Sequence, residues 1–244
     1  MHTYNMLADG DRVLVAVSGG MDSLVLAWLL VYWHQKAPIS YDVTALHVDM
    51  EPDNDVPGSS ARSVQQQLER LKIQSVVIPT QWHPPVSVNG SDSSKKDVCY
   101  QCARNRRKQL FDFAGRGKFT KIALGHHQDD IIETFFINLC FAGNISTMVP
   151  RQDLFDGRLA LIRPLAYLNK NEVYTIAEKI GIEPIRPNCP LSEQTRRMEI
   201  RKILADLYTS IPGARSKIFA ALGNVRHDYL LKQKKRCGED GGGK

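Results

Sequence analysis

The apolar run Val13–Val17 ends abruptly in a Ser-Gly-Gly turn, and this junction constrains the fold more than any other part of the chain. A short run rich in valine predicts a buried parallel strand. The apolar residues 24–33 predict a helix that Asp22 and Ser23 open. Two adjacent glycines let the backbone turn sharply beside a ligand. Because the free amides at a helix N-terminus favour anions, the junction predicts a phosphate-binding turn.

Strand and helix patterns alternate along the rest of the chain. Strands are predicted at 12–17, 43–48, 74–78, 120–124 and 159–162, and helices at about 22–35, 58–71, 101–114, 129–141, 170–180, 193–208 and 213–233. This alternation predicts an α/β fold, a doubly wound parallel sheet with helices on both faces. Ligands of such sheets bind beyond the carboxyl ends of the strands, where the Ser-Gly-Gly turn falls. The segment Thr80–Val98, which contains two prolines, is expected to be a mobile loop.

Length and composition indicate a single large enzyme domain with room for a helical appendage. The chain has 244 residues, of which 43% are hydrophobic, enough for a sizeable core. It contains no apolar run of about 18 residues, so no membrane span is expected. The first residues lack the basic and apolar regions of a signal peptide, which makes the cytoplasm the predicted compartment.

The charge of the chain is concentrated at one end. Residues 1–189 hold 20 Lys and Arg against 20 Asp and Glu, whereas residues 190–244 hold 12 against 6 and carry the whole net charge of +6. A neutral body with a basic terminal region indicates a polyanionic partner, and nucleic acid is the first candidate. A basic face that is merely solvated is the alternative.

Three of the five cysteines are candidate metal ligands. Cys99 and Cys102 form a C-x-x-C pair beside a basic run, where arginines and a helix N-terminus are expected to lower the thiol pKa. Cys189 lies in a proline-flanked turn. Three thiolates leave a tetrahedral centre one ligand short, as a catalytic centre requires. Cys140 is expected to be a buried core thiol, and Cys237 to be incidental.

Two further strand ends carry polar side chains. One runs from Gly125 through His126 and His127 to Asp129 and Asp130 at the start of a helix. Acidic residues there complement the helix dipole, which is the structural explanation. The functional explanation places them near phosphates, where they hold Mg²⁺ or polarise the reacting groups.

The other strand end carries His47 and Asp49, which could bind an adenine or a ribose. A simple turn role for Asp49 is the alternative.

The segment Ser18–Ser23 resembles the pyrophosphate loop of the PP-loop ATP pyrophosphatases. Over roughly residues 12–190 the chain resembles the tRNA 2-thiocytidine synthetases, the TtcA type within that superfamily. Met21 occupies a loop position that is often lysine in this branch. The matching pieces are Ser18–Ser23, the C-x-x-C-A-R-x-R-R run from Cys99 to Arg107, the run from Lys121 to Asp130, and Ile162–Tyr167.

The resemblance implies a Rossmann-like PP-loop fold (the adenine nucleotide alpha hydrolase-like fold), a requirement for ATP and Mg²⁺, and an oxygen-sensitive [4Fe–4S] cluster. The cluster ligands would be Cys99, Cys102 and Cys189. The product would be 2-thiocytidine in the anticodon loop of a tRNA. The expected partners are tRNA and a sulfur donor, either a cysteine desulfurase or sulfide, and a homodimer is possible.

Roles for individual residues follow from the motifs and the resemblance together. Catalytic roles are expected for Asp22, Ser23, Asp130 and Cys189. Nucleotide contacts are expected from Ser18, Gly19, Gly20, Asp22, Ser23, His47, Asp49, Gly125, His126 and Asp130. RNA contacts are expected from Arg104, Arg106, Arg107, Arg196, Arg197 and Arg201.

The expected organisation is a PP-loop domain over residues 1–190, a basic helical extension over 191–237 and a disordered tail over 238–244. Two other functions would use some of the same features. A lysidine synthetase would use the loop and the basic end but leave the three cysteines idle. A zinc-stabilised RNA-binding module would use the cysteines without catalysis.

Overall fold

A computed structural model of the chain describes residues 1–52, 56–82, 92–185 and 196–231. The strands are β1 (Asp11–Ala16), β2 (Tyr41–Asp49), β3 (Ser75–Pro79), β4 (Lys121–Ala123), β5 (Arg151–Leu154) and β6 (Leu159–Ile162). The helices are α1 (Met21–His34), α2 (Ser59–Arg70), α3 (Asp92–Arg116), α4 (Gln128–Ile137), α5 (Lys170–Ile180), α6 (Arg196–Ser210) and α7 (Ala214–Leu222). None of the described helices is long and apolar enough to span a bilayer.

The six strands form one sheet in the order β3-β2-β1-β4-β6-β5. All neighbouring strands are parallel except β5, which runs antiparallel to β6 at the edge. Residues along a strand alternate between the two faces of the sheet. Val13 and Val15 therefore enter one core cluster with residues of α1, α2 and α5, whereas Leu14 enters another with residues of α3. The doubly wound α/β fold predicted from the sequence is confirmed.

The C-terminal helices pack on α4 rather than on the sheet. Ile132 of α4 is buried against Ile200 and Leu204 of α6, and partly buried residues of α7 complete this small core. The helical C-terminal region is therefore present as predicted, and its apolar contact fixes α6 alongside α4. The last predicted helix is shorter than expected, because α7 ends at Leu222 and only a single 3₁₀ turn, His227–Tyr229, follows.

Three predictions about local structure are wrong. Strand β5 was not predicted, since Arg151-Gln152-Asp153-Leu154 is polar and lies at a sheet edge. Helix α3 begins at Asp92, so residues 92–98 are helical rather than part of a mobile loop, while 83–91 lie outside the described residues. Helix α4 ends at Ile137 and continues as a π-helical turn, Asn138–Ala142, in which no residue is buried.

Candidate active site

The site lies where the chain connections diverge between the two central strands, β1 and β4. In open α/β sheets this switch point forms a crevice beyond the carboxyl ends of the strands. The loop after β4 approaches the start of α1 so closely that a Cβ on Gly125 would stand 3.0 Å from the backbone of Asp22 and Ser23. Glycine is therefore required at this position, because any side chain would push the two loops apart.

The Ser-Gly-Gly loop after β1 is shaped by the buried hydroxyl of Ser23. This hydroxyl accepts a hydrogen bond from the Ser18 amide at 3.1 Å and donates one to the Gly20 carbonyl at 2.8 Å. Gly19 has a φ of +89°, and a Cβ there would also stand 3.0 Å from Val64. The loop thus presents the first turn of α1, whose amides lack intrahelical partners, toward the crevice.

Three carboxylates surround the buried imidazole of His127 at the start of α4. Its Nε2 lies 3.5 Å from Asp130 Oδ2 and 3.9 Å from Asp22 Oδ1, and its Nδ1 lies 3.7 Å from Asp129 Oδ2. Burial is the largest influence on the pKa of Asp22 and raises it; His127 opposes this shift, and the charge of Asp130 adds to it. The loops after β1 and β4 therefore bring Asp22 together with Asp129 and Asp130, which lie 107 and 108 residues later in the chain.

The neighbouring His126 differs from His127 in its environment. Burial lowers the pKa of His126 to about 4, so the ring is neutral at physiological pH. Arg163, at the carboxyl end of β6, donates from Nε to Nδ1 of His126 at 3.3 Å. A neutral imidazole held by a buried arginine is suited to contact a ligand without adding charge. Arg163 was not identified as a site residue from the sequence, although its position directly after a strand was a usable signal.

His47 and Asp49, at the end of β2, are both buried and already engaged within the protein. Nδ1 of His47 lies 2.8 Å from the Val17 carbonyl, and burial lowers the pKa of this imidazole. The carboxylate of Asp49 accepts hydrogen bonds from the Glu51 amide at 3.0 Å and the Gly58 amide at 2.7 Å. This geometry favours the turn role for Asp49 over direct contact with a nucleotide.

The C-x-x-C pair lies within helix α3, with Cys99 one turn before Cys102. Cys102 is a partly buried free thiol. Because α3 begins at Asp92, the pair stands about two turns inside the helix, and the dipole effect is confined to the first turn. The expectation that the pair lies at a helix N-terminus is therefore wrong. The side chain of Cys99 and the whole of Cys189 and Cys237 lie outside the described residues.

Cys140 is exposed, and the prediction of a buried core thiol is wrong. Its apolar neighbours suggested a core helix. The backbone instead widens into the π-helical turn, which leaves Leu139 and Phe141 largely exposed as well.

The basic residues of α3 lie near the carboxyl edge of the sheet. Arg104 and Lys108 line an open cavity of about 580 Å³ together with Tyr100, Gln101 and Asn105. Burial is the main cause that lowers the pKa of His47 and of Arg163, and the charges of Arg106 and Arg107, respectively, lower these two pKa values further. Arg106 and Arg107 are thus close to strand ends at the same edge of the sheet as the Ser-Gly-Gly loop.

The arginines of the C-terminal helices are placed differently. Arg197 donates to Asp130 Oδ1 at 3.0 Å, and Arg201 forms a two-pronged contact with Glu133 at 2.7 and 3.0 Å. Arg196 instead lies over the ring of Phe141, 4.7 Å from its centroid. Arg215, which the sequence did not single out, pairs with Asp129 at 3.2 Å. Only Arg196 of the three predicted RNA contacts in α6 has no carboxylate partner among the described residues.

Known proteins resemble this chain in both sequence and structure. A family model described as a PP-loop domain matches residues 2–207. The tRNA-cytidine(32) 2-sulfurtransferase of Pseudomonas syringae pv. tomato is 35% identical, over 95% of this chain and 82% of that protein. The enzyme of the same name from Azotobacter vinelandii is 34% identical, over 95% of this chain and 82% of that protein.

Solved structures share the fold. The U34-tRNA thiolase NcsA from Methanococcus maripaludis, solved with its [4Fe–4S] cluster, has a TM-score of 0.69 at 23% identity, covering 96% of this chain and 77% of that one. An NAD⁺ synthetase from Burkholderia pseudomallei has a TM-score of 0.51 at 15% identity, covering 91% and 81%. Together with the sequence matches and the loop at the switch point, these results show that the chain belongs to the tRNA-cytidine(32) 2-sulfurtransferase family of PP-loop enzymes.

Proposed function

We propose that this protein uses ATP to adenylate a cytidine of tRNA and then replaces the carbonyl oxygen of that base by sulfur. The observation that carries the proposal is the crevice at the switch point, where the Ser-Gly-Gly loop and the start of α1 meet Asp22, His127 and Asp130. The family to which the chain belongs carries a tRNA cytidine in its name, which supports the same substrate class here.

Activation of the base explains the need for ATP. The carbonyl oxygen of cytidine is a poor leaving group. When it attacks the α-phosphorus of ATP, a new O–P bond forms, the α–β phosphate bond breaks and pyrophosphate leaves. The oxygen can then depart as part of AMP. Ser18, Gly19, Gly20 and the first amides of α1 would bind the phosphates, while Ser23 holds the loop in shape.

Magnesium would be bound jointly by protein and nucleotide. Among the described residues, no group of three or more side chains is arranged to hold a metal by itself. Mg²⁺ is commonly bound by one or two carboxylates together with substrate phosphates. Asp22 lies within the phosphate-binding loop, and its carboxylate and that of Asp130 both approach His127 Nε2, at 3.9 and 3.5 Å, so the two fit such a shared site.

The cysteines fit an iron–sulfur cluster. Cys99 and Cys102 are one helical turn apart in α3, and Cys102 is a free thiol. Cys189 follows Ile185 by four residues, and the Ile185 amide donates to the Gly19 carbonyl at 3.0 Å. Four residues span at most about 14 Å, so this link to Ile185 is compatible with a third ligand at Cys189, whose own position lies outside the described residues. These three thiolates would hold a [4Fe–4S] cluster with one iron free of a protein ligand, which would bind the sulfide from the donor that replaces the carbonyl oxygen.

The RNA surface is proposed to centre on α3. Arg106 and Arg107 lie near the crevice, and Arg104 lines an open cavity on α3 together with the exposed ring of Tyr100. Guanidinium groups bind RNA phosphates, and an exposed aromatic ring can stack on an unpaired base. Arg196 would extend this surface from α6, since its charge is not paired with a carboxylate in the described structure.

The remaining assignments complete the proposal. Residues 1–190 would form the catalytic PP-loop domain, 191–237 the basic helical extension and 238–244 a disordered tail. The enzyme would act in the cytoplasm as a homodimer and receive sulfur from a cysteine desulfurase or from sulfide.

The proposal is tested by following nucleotide and tRNA products together. The anaerobically purified protein, reconstituted with iron and sulfide, is incubated with ATP, Mg²⁺ and tRNA from a strain that lacks the gene. We expect AMP and pyrophosphate in step with 2-thiocytidine, detected by mass spectrometry of the nucleosides. Formation of ADP would contradict the adenylation step. A lysine-modified cytidine, or a zinc-loaded protein that forms no AMP, would contradict the thiolation itself.

A further inference from the structure

Three ion pairs, here called the ion-pair ladder, join the C-terminal helices to the start of α4, at the carboxyl edge of the sheet. Arg215 of α7 pairs with Asp129, Arg197 of α6 with Asp130, and Arg201 of α6 with Glu133. All three acidic residues lie in the first two turns of α4. The buried contact of Ile132 with α6 holds the two helices in this register. The ladder therefore belongs to the packed structure rather than to a mobile surface.

The two oxygens of Asp130 face different groups. Oδ1 accepts from Arg197 Nη1 at 3.0 Å, while Oδ2 accepts from the His127 amide at 3.1 Å and lies 3.5 Å from His127 Nε2. Arg197 is itself fixed by Thr134, to whose hydroxyl its Nη2 donates at 3.3 Å. With one oxygen held by Arg197, the carboxylate cannot rotate freely, and its second oxygen is kept beside His127.

The charge of Arg197 is needed as much as its geometry. Asp22, Asp129 and Asp130 bring three carboxylates around one imidazole. Like charges at such short range disfavour one another unless cations compensate them. Arg197 supplies a cation to Asp130 through Oδ1, the oxygen that does not face His127. It thereby offsets part of the negative charge of the three carboxylates while bonding to Asp130 only at Oδ1.

We infer that Arg197 is a positioning residue of the nucleotide site, which acts through Asp130, rather than a contact to RNA phosphates. This inference rests on the proposed function, because it assigns Asp130 to the Mg²⁺·ATP site. It makes the C-terminal helices part of the adenylation machinery, since the residue that orients Asp130 belongs to α6.

The test measures binding of α,β-methylene-ATP by titration calorimetry in Mg²⁺ and again in EDTA. Arg197→Ala should weaken binding in Mg²⁺ roughly tenfold, the loss expected for one charge-assisted hydrogen bond, and leave binding in EDTA within about twofold. Arg197→Lys should recover part of the loss, because an ammonium group restores the charge but not the planar donor pair. A purely structural role would weaken binding equally under both conditions, and that result would overturn the inference.

The matched control is Lys202→Ala, which removes one exposed positive charge from the same helix. Lys202 forms no ion pair within the described residues, so binding of α,β-methylene-ATP should not change. Affinity for tRNA is measured in parallel at constant salt. If Arg197→Ala weakens tRNA binding and leaves nucleotide binding in Mg²⁺ unchanged, Arg197 is an RNA contact and the inference is wrong. Formation of ADP by the wild type would contradict the proposed adenylation but not this binding result.

Discussion

Removing the guanidinium of Arg201 should destabilise the protein by about 2 kcal/mol. The partner of Arg201, Glu133, has a side chain that is only 4% exposed and accepts two hydrogen bonds from it. Breaking a buried pair from one side costs roughly 3–5 kcal/mol, because the other charge stays buried without its partner. The Arg201 side chain is 44% exposed, so water can reach the carboxylate once the guanidinium is gone. Arg197 also remains 3.6 Å from Glu133, and we therefore expect about half of that cost.

The measurement is urea unfolding at pH 7 of the wild type and of Arg201→Met, which keeps the aliphatic stem and removes the charge. A loss of about 2 kcal/mol corresponds to a decrease in Tm of roughly 4–8 °C for a chain of this size. The double variant Arg201→Met/Glu133→Leu should regain most of the loss, since apolar pairs replace buried ion pairs at little cost. Lys202→Ala, on the exposed side of the same helix, should stay within about 0.5 kcal/mol of the wild type.

Two results would refute this reasoning. A loss below about 0.5 kcal/mol in Arg201→Met would mean that the pair behaves as an exposed surface pair. A double variant no more stable than the single variant would mean that the cost does not come from an unpaired Glu133.

Three further outcomes follow from the site. Ser23→Ala should lower AMP formation more than Ser18→Ala, because the Ser23 hydroxyl both accepts from the Ser18 amide and donates to Gly20; equal effects in a product assay would contradict this role. Replacing Cys99, Cys102 or Cys189 by Ala should each abolish the iron–sulfur absorbance near roughly 400 nm and thiolation, while thermal melting of the apoprotein is unchanged. Burial lowers the folded-state pKa of His126 from 6.5 to about 4. As the pH falls, the unfolded chain therefore binds a proton at this residue before the folded protein does. The free energy of unfolding should decrease between about pH 6.5 and pH 4. The variant His126→Gln should flatten this part of the pH dependence of unfolding free energy, and an unchanged slope would contradict it.

The central sheet could be predicted from the sequence because its signals are local. The Val-rich run that ends in the Ser-Gly-Gly turn marks the end of β1, and strand β1 and helix α1 begin and end within one or two residues of their predicted limits. Strand β5 has no such signal, because Arg151-Gln152-Asp153-Leu154 pairs only along the sheet edge, where polar side chains meet solvent. The exposure of Cys140 could not be predicted, because the apolar run around it can form either a buried helix or an exposed turn.

The chemistry of the site could be predicted only where it lies within one motif. The Ser-Gly-Gly loop and the acidic start of α4 were identified, because the residues of each motif are contiguous in the chain. The roles of Arg197 and Arg215 depend on partners that lie 67 residues or more away in the sequence. The charge of Arg197 therefore indicated only an RNA contact, and Arg215 was not identified. Pairing between helices is set by packing, in this case by Ile132 against α6, and no local pattern encodes it.

Because the chain is synthesised from its N-terminus, α4 is made before α6 and α7, whose arginines pair with its acidic residues. The Ser-Gly-Gly loop and the start of α4 leave the ribosome well before Arg197 and Arg215, the residues that neutralise Asp130 and Asp129. Until those arginines arrive, Asp130 and Asp129 lack the partners that fix their carboxylates. We therefore expect nascent and prematurely terminated chains to bind Mg²⁺·ATP weakly until the C-terminal helices have docked.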